Sequence, residues 1–388
     1  EFTGVYGLSF WICSVGALLF YLIEKIKSGE WKISSAKTII TVIIILAIYF
    51  APDVYTLTRG SKAKYENAFT NGEISIGVVQ PNSDPWERWG SKQMQFVTDY
   101  VDMIKQLKEK NPQTKLVILP ETAITFYLFN TINLEKYLKI KNFVDSANTP
   151  LLVGLPYYKI YKDSTEAPVD AKRSNDGAYY DTFNAALLFE KNKTQAEYQV
   201  YKKNKLVIGG ERVPYQEVLG FLKDYVTWQV GISQWQIGKD TNNFVLEDGT
   251  QFNTAICYES VYPEYFSAFV KKGADFCTII TNDGWWGKLF GTYQHNQYAV
   301  LRAIENRRWI ARSANTGISE FIDPYGNKYN ETAINERASF AGKIGIIKEK
   351  TFYTEHGDWL CRICLWISGA VLLFAIGAGL TKRTNRKT

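Results

Sequence analysis

Residues 254–260, TAICYES, are the stretch from which the rest of the chain is best interpreted. They predict a short apolar strand that ends in a thiol, a phenol and a carboxylate, those of Cys257, Tyr258 and Glu259. The end of a strand is where a side chain can leave the core and face a cleft. A cysteine there can act as a nucleophile if a neighbouring group ionises it. Taken by itself, the stretch favours a plainer interpretation, in which Cys257 is a small buried core residue.

Two other predicted strands end in groups that complement a thiol. Residues 116–121, LVILPE, lead an apolar strand into Glu121, and residues 201–211, YKKNKLVIGGE, place lysines after a strand. A carboxylate can take the thiol proton, and an ammonium can stabilise a thiolate and an oxyanion while the cysteine attacks a carbonyl. Each signal is weak alone, because Glu121 is also a common helix-start residue and Lys203 could be a solvated surface charge.

Composition narrows the class of protein. The 388 residues suffice for two or three domains, and the aromatic content of 15%, with 11 Trp and 25 Tyr, suggests contact with lipid headgroups or apolar ligands. The net charge of +6 is not gathered into one basic stripe, which argues against nucleic-acid binding. Five cysteines and two histidines show neither a disulfide framework nor zinc spacing, so we predict no metal and no other cofactor.

Three apolar segments predict membrane helices, at about 5–23, 38–57 and from 359 to 380. The first lacks the charged start and cleavage site of a signal peptide, so we expect the chain to be a fragment that begins inside a longer membrane protein. In the second, the strictly apolar part, 38–51, is shorter than the roughly 20 residues that a span needs. A buried strand or core helix is therefore the alternative for that segment.

The basic residues predict an orientation in the membrane. Lysines lie between the first two segments and a basic tail follows the third, which places both on the cytoplasmic side. The prediction is then two transmembrane helices with a basic cytoplasmic loop in 1–57, an extracytoplasmic catalytic domain in 58–358 with its core at 73–346, and a transmembrane helix with a basic tail in 359–388.

The middle of the chain alternates strand and helix patterns, which predicts a layered α/β domain. Residues 162–177 are polar and predict a loop or hairpin excursion. Strands are predicted at 74–80, 116–119, 151–155, 182–189, 198–201, 255–257, 276–281, 309–313, 317–322 and 339–346, and helices at 92–110, 134–146 and 263–272.

These residues together resemble the nitrilase (carbon–nitrogen hydrolase) superfamily with its Glu-Lys-Cys triad. With the flanking membrane segments, the motifs VQPN at 79–82, PETA at 120–123, the run 201–211, CYE at 257–259 and TNDGWWG at 281–287 are similar to the apolipoprotein N-acyltransferase family. The resemblance extends from residue 4 to residue 380. It implies a nitrilase-like αββα sandwich flanked by transmembrane helices, in a multi-pass protein of the bacterial inner membrane with its catalytic domain on the periplasmic face.

The resemblance also implies roles for individual residues. Glu121 corresponds to the general base, Cys257 to the nucleophile, and Lys203 to the oxyanion-stabilising lysine, since the family spacing places that lysine eight residues before a glutamate, here Glu211. Residues 205–210, KLVIGG, depart from the HLVPFG run that the family often has. Supporting and substrate-side residues implied by the resemblance are Trp89, Glu211, Tyr258 and Glu259.

The implied reaction transfers an acyl chain from a membrane phospholipid to the α-amino group of the diacylglyceryl-cysteine of an apolipoprotein, through a thioester. The aromatic segments 215–228 and 285–290 are expected to dip into the bilayer and gate lipid entry, with ordinary core packing as the alternative. Cys277 lies in an apolar strand and is expected to be structural.

Two other functions remain open at this stage. One is a membrane-tethered nitrilase-type amidase or hydrolase that releases its product to water. The other is a non-catalytic membrane assembly or binding protein, against which the complete triad argues.

Overall fold

The computed structural model describes residues 1–59, 71–84, 87–213, 235–285, 287 and 289–384. The chain divides into two compact units, one formed by Glu1–Ala68 with Thr351–Thr388 and the other by Phe69–Lys350.

The first unit is helical. Its helices are α1 (Gly4–Lys27), α2 (Ala36–Arg59), the short α7 (Phe352–His356) and α8 (Trp359–Thr384). By length and composition, Gly4–Lys27, Ala36–Leu57 and Trp359–Ala378 are candidate membrane spans. Trp366 and Phe374 are 81% and 78% exposed, as expected of side chains that face lipid. The second apolar segment, for which a strand was an alternative, is thus a 24-residue helix.

The second unit contains two β-sheets. The strands of the first are β1 (Glu73–Gln80), β2 (Leu116–Ile118), β3 (Leu151–Ile160), β4 (Lys172–Arg173), β5 (Tyr179–Phe189), β6 (Gln199–Lys202) and β13 (Ala338–Gly345). Their order is β13-β1-β2-β3-β5-β4, with β6 paired to β5. Strands β1, β2 and β3 run parallel, and the other pairs are antiparallel.

The strands of the second sheet are β7 (Phe244–Val245), β8 (Gln251–Ile256), β9 (Phe276–Thr281), β10 (Ile310–Ala314), β11 (Glu320–Ile322) and β12 (Lys328–Tyr329). Their order is β12-β11-β10-β9-β8-β7. At the centre of the sheet, β8 pairs with β9 and β9 with β10, both in parallel.

Alternation of side chains along the strands builds four layers. In β1, Ile76 and Val78 join the apolar cluster between the sheets, while Val79 joins the cluster that covers the other face of the first sheet. That outer cluster includes α3 (Gln93–Lys110) and α4 (Leu134–Ala147). Helices α5 (Pro263–Lys271) and α6 (Phe290–Asn306) cover the second sheet. The predicted αββα sandwich is confirmed, since each sheet buries one face against its partner sheet and one against helices.

Helix α6 was missed by the sequence analysis. Its buried positions are largely polar, including His295, Asn296 and Arg302, so no apolar period marks it. The strand predicted at 255–257 is also corrected: β8 begins at Gln251 and ends at Ile256, and Cys257 opens a short 3-10 helix instead.

Three strands deliver the predicted site residues. β2, β6 and β8 end at Ile118, Lys202 and Ile256, and Glu121, Lys203 and Cys257 follow them within a few residues. Gly154 of β3 lies directly under the turn that carries Glu121. A Cβ atom on Gly154 would lie 2.6 Å from the Cα of Glu121 and from the carbonyl oxygen of Pro120.

Gly154→Ala should therefore destabilise the second unit by about 1–3 kcal/mol, because the clash is with backbone that cannot yield locally. Thermal unfolding of the whole chain measures this effect. Gly77→Ala in β1 is the matched control, since its added Cβ would meet the movable tip of Leu107 at 2.9 Å. Equal stability losses in the two variants would contradict the tight approach at Gly154.

Candidate active site

A buried ammonium shared by two carboxylates forms the centre of the site. Lys203 is 1% exposed, and its Nζ donates to Glu121 Oε1 at 3.0 Å and to Glu211 Oε1 at 2.9 Å. Glu121 is 5% exposed. The structure thus brings together three of the residues singled out in the sequence, from separate parts of the chain.

The charge of Lys203 is fixed by its partners. Burial disfavours the ammonium, but the carboxylates of Glu121 and Glu211 outweigh that effect and hold the pKa of Lys203 well above its usual value. Lys203 is therefore a permanent cation in the site. It cannot serve as a proton acceptor, but it can stabilise negative charge that develops nearby.

Glu121 is held by further donors. Asn184 of β5 donates through Nδ2 to Glu121 Oε1 at 2.8 Å and to Glu211 Oε1 at 2.9 Å. The backbone N–H of Asn282 donates to Glu121 Oε2 at 3.1 Å. Because a carboxylate oxygen has two lone pairs, Oε2 retains the capacity to take a proton from a neighbouring thiol.

Cys257 lies at the turn after β8 and is 8% exposed. Burial raises the pKa of its thiol, the negative charge of Glu121 raises it further, and the positive charge of Lys203 opposes them. The side chain of Thr281 is a hydrogen-bonding neighbour of the same thiol. The thiol is consequently neutral at rest, within the electrostatic reach of both Glu121 and Lys203.

Glu259 connects the backbone that follows Lys203 to the backbone that precedes Cys257. Its Oε1 accepts from the backbone N–H of Asn204 at 2.7 Å and of Lys205 at 3.1 Å, and its Oε2 accepts from the N–H of Ile256 at 2.8 Å. The hydroxyl of Tyr201 also donates to Oε1, at 2.7 Å. One buried carboxylate thus holds the residues just after Lys203 and just before Cys257.

Glu211 has a second contact that shapes the loop after Lys203. Its Oε2 accepts from the N–H of Val207 at 2.8 Å. The segment 205–210, where the chain departs from the family pattern, therefore closes back on Glu211 and keeps its carboxylate on Lys203.

The remaining predicted residues lie around this centre. Tyr258 is partly buried and packs edge-on against Tyr262, with ring centroids 5.4 Å apart. Trp89 is partly buried in a short 3-10 helix, Glu87–Trp89. Their substrate-side roles stay predictions, as do the catalytic roles of Glu121, Lys203 and Cys257.

The expected lipid-gating segments are described only in part. Residues 215–228 lie outside the described residues, as do 286 and 288. Leu289 and Phe290, at the start of α6, are 69% and 90% exposed. Cys277 is fully buried among α5 and α6 residues, which fits its expected structural role.

Sequence reasoning missed Asn184 as a site residue, and it used Asn282 only as part of a motif. A polar residue inside the apolar run of β5 was the available signal for Asn184, which is 5% exposed. Within the described ranges, no group of three or more His, Cys, Asp or Glu side chains is arranged to hold a metal ion.

The chain is similar to known proteins over most of its length. Residues 75–332 match the model of the carbon–nitrogen hydrolase family. The fold resembles that of Saccharomyces cerevisiae Nit3, a member of branch 10 of the nitrilase superfamily, with a TM-score of 0.50 and 14% identity over 70% of this chain and 90% of that chain.

Two curated relatives define the family more narrowly. The apolipoprotein N-acyltransferase of Chlorobaculum tepidum is 33% identical over 97% of this chain and 69% of its own length. Apolipoprotein N-acyltransferase 1 of Treponema denticola is 29% identical over 99% of this chain and 71% of its own length. The chain thus belongs to the apolipoprotein N-acyltransferases, a family of membrane acyltransferases built on the carbon–nitrogen hydrolase fold.

Lys203→Met should lower the free energy of unfolding by about 3–5 kcal/mol, because it leaves the buried Glu121 and the partly buried Glu211 without their shared cation. Lys202→Met is the matched control in the same strand end. Lys202 lies 4.8 Å over the ring of Phe183 and its loss should cost about 1 kcal/mol or less. Denaturant unfolding of both variants measures the difference, and a Lys203→Met protein as stable as the control would contradict the shared-ammonium account.

Proposed function

We propose that this chain transfers an acyl chain from a membrane phospholipid to the N-terminal α-amino group of the diacylglyceryl-cysteine of an apolipoprotein, by way of a thioester on Cys257. The family membership supports the reaction class. The observation that carries the mechanism is the buried Lys203 ammonium, which is held between Glu121 and Glu211 and lies within electrostatic reach of the Cys257 thiol. Phospholipid, diacylated apolipoprotein and the bilayer are the proposed partners.

Acylation begins with a proton transfer. The thiol of Cys257 is neutral at rest because burial and Glu121 raise its pKa. Attack on the ester carbonyl therefore needs a base that takes the proton as the S–C bond forms. Glu121 is the proposed base, since its negative charge influences the pKa of this thiol and its Oε2 has capacity for a further hydrogen.

Lys203 then stabilises the oxyanion of the tetrahedral intermediate. A preorganised cation in a water-poor site acts strongly on charge that develops in the transition state. When the intermediate collapses, the C–O bond breaks and the lysophospholipid alkoxide takes the proton held by Glu121. The products of this half-reaction are lysophospholipid and acyl-Cys257.

The second half-reaction uses the same residues, with an amine as the nucleophile. The α-amino group of the acceptor attacks the thioester carbonyl, Glu121 takes a proton from the nitrogen, and the C–S bond breaks. The thiolate of Cys257 recovers the proton and the amide is released, so both steps balance. Water competes with the amine, and the burial of Cys257 limits its access.

The proposed location is the inner membrane with the second unit on its extracytoplasmic face. The loop between α1 and α2 carries Lys32, and α1 ends in Lys25 and Lys27, so this end favours the cytoplasm. The exposed Leu289 and Phe290 are proposed to contact lipid near the site.

Mass spectrometry of the protein reconstituted with phospholipid tests the proposal. We expect an acyl mass on the peptide that contains Cys257, which a diacylated lipopeptide discharges with transfer of the acyl chain to its α-amine. Discharge to water with no labelled lipopeptide would favour the amidase-like hydrolase instead. Cys257→Ala should abolish the label, whereas Cys277→Ala, which removes the other buried thiol of the second unit, should keep it.

Glu121→Gln should slow formation of acyl-Cys257 by about 10²–10⁴-fold, because the amide cannot accept the thiol proton. Single-turnover acylation with labelled phospholipid measures the rate. Glu247→Gln, an exposed carboxylate in the same unit, is the control and should acylate at the wild-type rate. An unimpaired Glu121→Gln protein would assign the base to another group.

A further inference from the structure

Cys257 has a backbone conformation that residues with a side chain rarely adopt. Its φ of 52° lies in the left-handed region. Its carbonyl oxygen accepts a hydrogen bond from Ser260 Oγ at 2.8 Å and lies 3.0 Å from Nε2 of His295. The same Nε2 lies 3.0 Å from Ser260 Oγ. Such a residue persists only where its surroundings hold it, and the neighbours that contact its carbonyl are Ser260 and His295.

His295 is itself held in place. It is 2% exposed on α6, and its Nδ1 lies 2.9 Å from Asp283 Oδ1. Arg312 of β10 donates to the other oxygen, Asp283 Oδ2, at 2.7 Å. Burial alone would raise the pKa of Asp283, but Arg312 and His295 outweigh it and hold that pKa well below its usual range. A carboxylate only accepts, so Nδ1 of His295 donates to Asp283, which leaves Nε2 directed at Cys257 and Ser260.

The segment 281–283 links this arrangement to Glu121. Thr281 Oγ1 donates to Asp283 Oδ1 at 2.8 Å, and the next residue, Asn282, donates its N–H to Glu121. Asp283 therefore contacts Thr281, whose neighbour Asn282 binds the predicted base, Glu121. Asp283 also contacts His295, which lies against the predicted nucleophile, Cys257.

We propose that His295 is a positioning residue for acyl transfer: supported by Asp283 and Arg312, it contacts the Ser260 hydroxyl, which in turn contacts the Cys257 carbonyl, and so keeps the thiol aligned with Glu121 and Lys203. The inference rests on the proposed function. The rate of the reaction depends strongly on the position of the nucleophile, since a displacement of about 1 Å can slow a reaction roughly 10²-fold.

Two substitutions separate the contacts of the two ring nitrogens. The polar end of glutamine reaches about as far as Nε2, and that of asparagine about as far as Nδ1. His295→Gln can therefore keep the contact with Cys257 and Ser260, whereas His295→Asn keeps only the contact with Asp283. His356→Asn, which alters the other histidine of the chain at an exposed position of α7, is the control.

The full chain in phospholipid nanodiscs is assayed for the rate of acyl-Cys257 formation, its KM for phospholipid and its unfolding temperature. We expect His295→Asn to slow acylation about 10²-fold at an unchanged KM, with His295→Gln recovering most of the rate and His356→Asn unaffected. Wild-type rates in His295→Asn would overturn the positioning role. So would equal losses of rate in the Asn and Gln variants that follow equal losses of thermal stability.

A substrate-free measurement separates this inference from the proposed function. Iodoacetamide labelling of the Cys257 peptide across pH reports where the thiol lies relative to Glu121. We expect His295→Asn to move the labelling curve towards that of an ordinary thiol, and His295→Gln to leave it near wild type. Identical curves in all three proteins overturn the positioning role, whereas a wild-type protein that never forms acyl-Cys257 overturns the proposed function.

Discussion

One buried ammonium, that of Lys203, shared by the carboxylates of Glu121 and Glu211, is the constraint on which the site depends. Burial disfavours the charge of Lys203, and the carboxylates of Glu121 and Glu211 are what keep its pKa well above the usual value. The contacts of 2.9 and 3.0 Å fix all three side chains, so the group is preorganised before any substrate arrives. A preorganised charge acts on a transition state without the cost of reorganising solvent.

The fold places these residues together because the strands that precede them end close to one another. The first sheet supplies Glu121 after β2 and Lys203 after β6, and the second supplies Cys257 after β8. Apolar packing between the sheets holds them together, but it specifies position only loosely. The close register comes from buried polar contacts, in which Glu259 ties the segment after Lys203 to Ile256, and Asn282 ties β9 to Glu121. The left-handed Cys257 is a local strain that this network sustains.

The sequence predicts elements whose buried side chains are apolar, and it fails to predict elements whose buried side chains are polar. The apolar runs of β1 and α3 predict those elements within a residue of their bounds, because their cores obey a period of two or of 3.6. Helix α6 buries His295, Arg302 and Asn306 and shows no such period. The strand-end residues Glu121, Lys203 and Cys257 are visible as motifs. The contacts that Asn184 and Asn282 make with Glu121 are not visible, since these residues lie 63 and 161 residues from it in the sequence and only the paired sheets bring them together.

Titration of the Cys257 thiol in the wild-type protein and in Glu121→Gln tests the central claim most directly. The account predicts a wild-type pKa above the ordinary thiol value of about 8.5 and a lower pKa in Glu121→Gln, because the neighbouring negative charge is gone while Lys203 remains. The variant would thus hold more thiolate and yet transfer fewer acyl chains. A wild-type pKa at or below the ordinary value, or one that Glu121→Gln leaves unchanged, would contradict a neutral thiol that depends on Glu121 for its deprotonation.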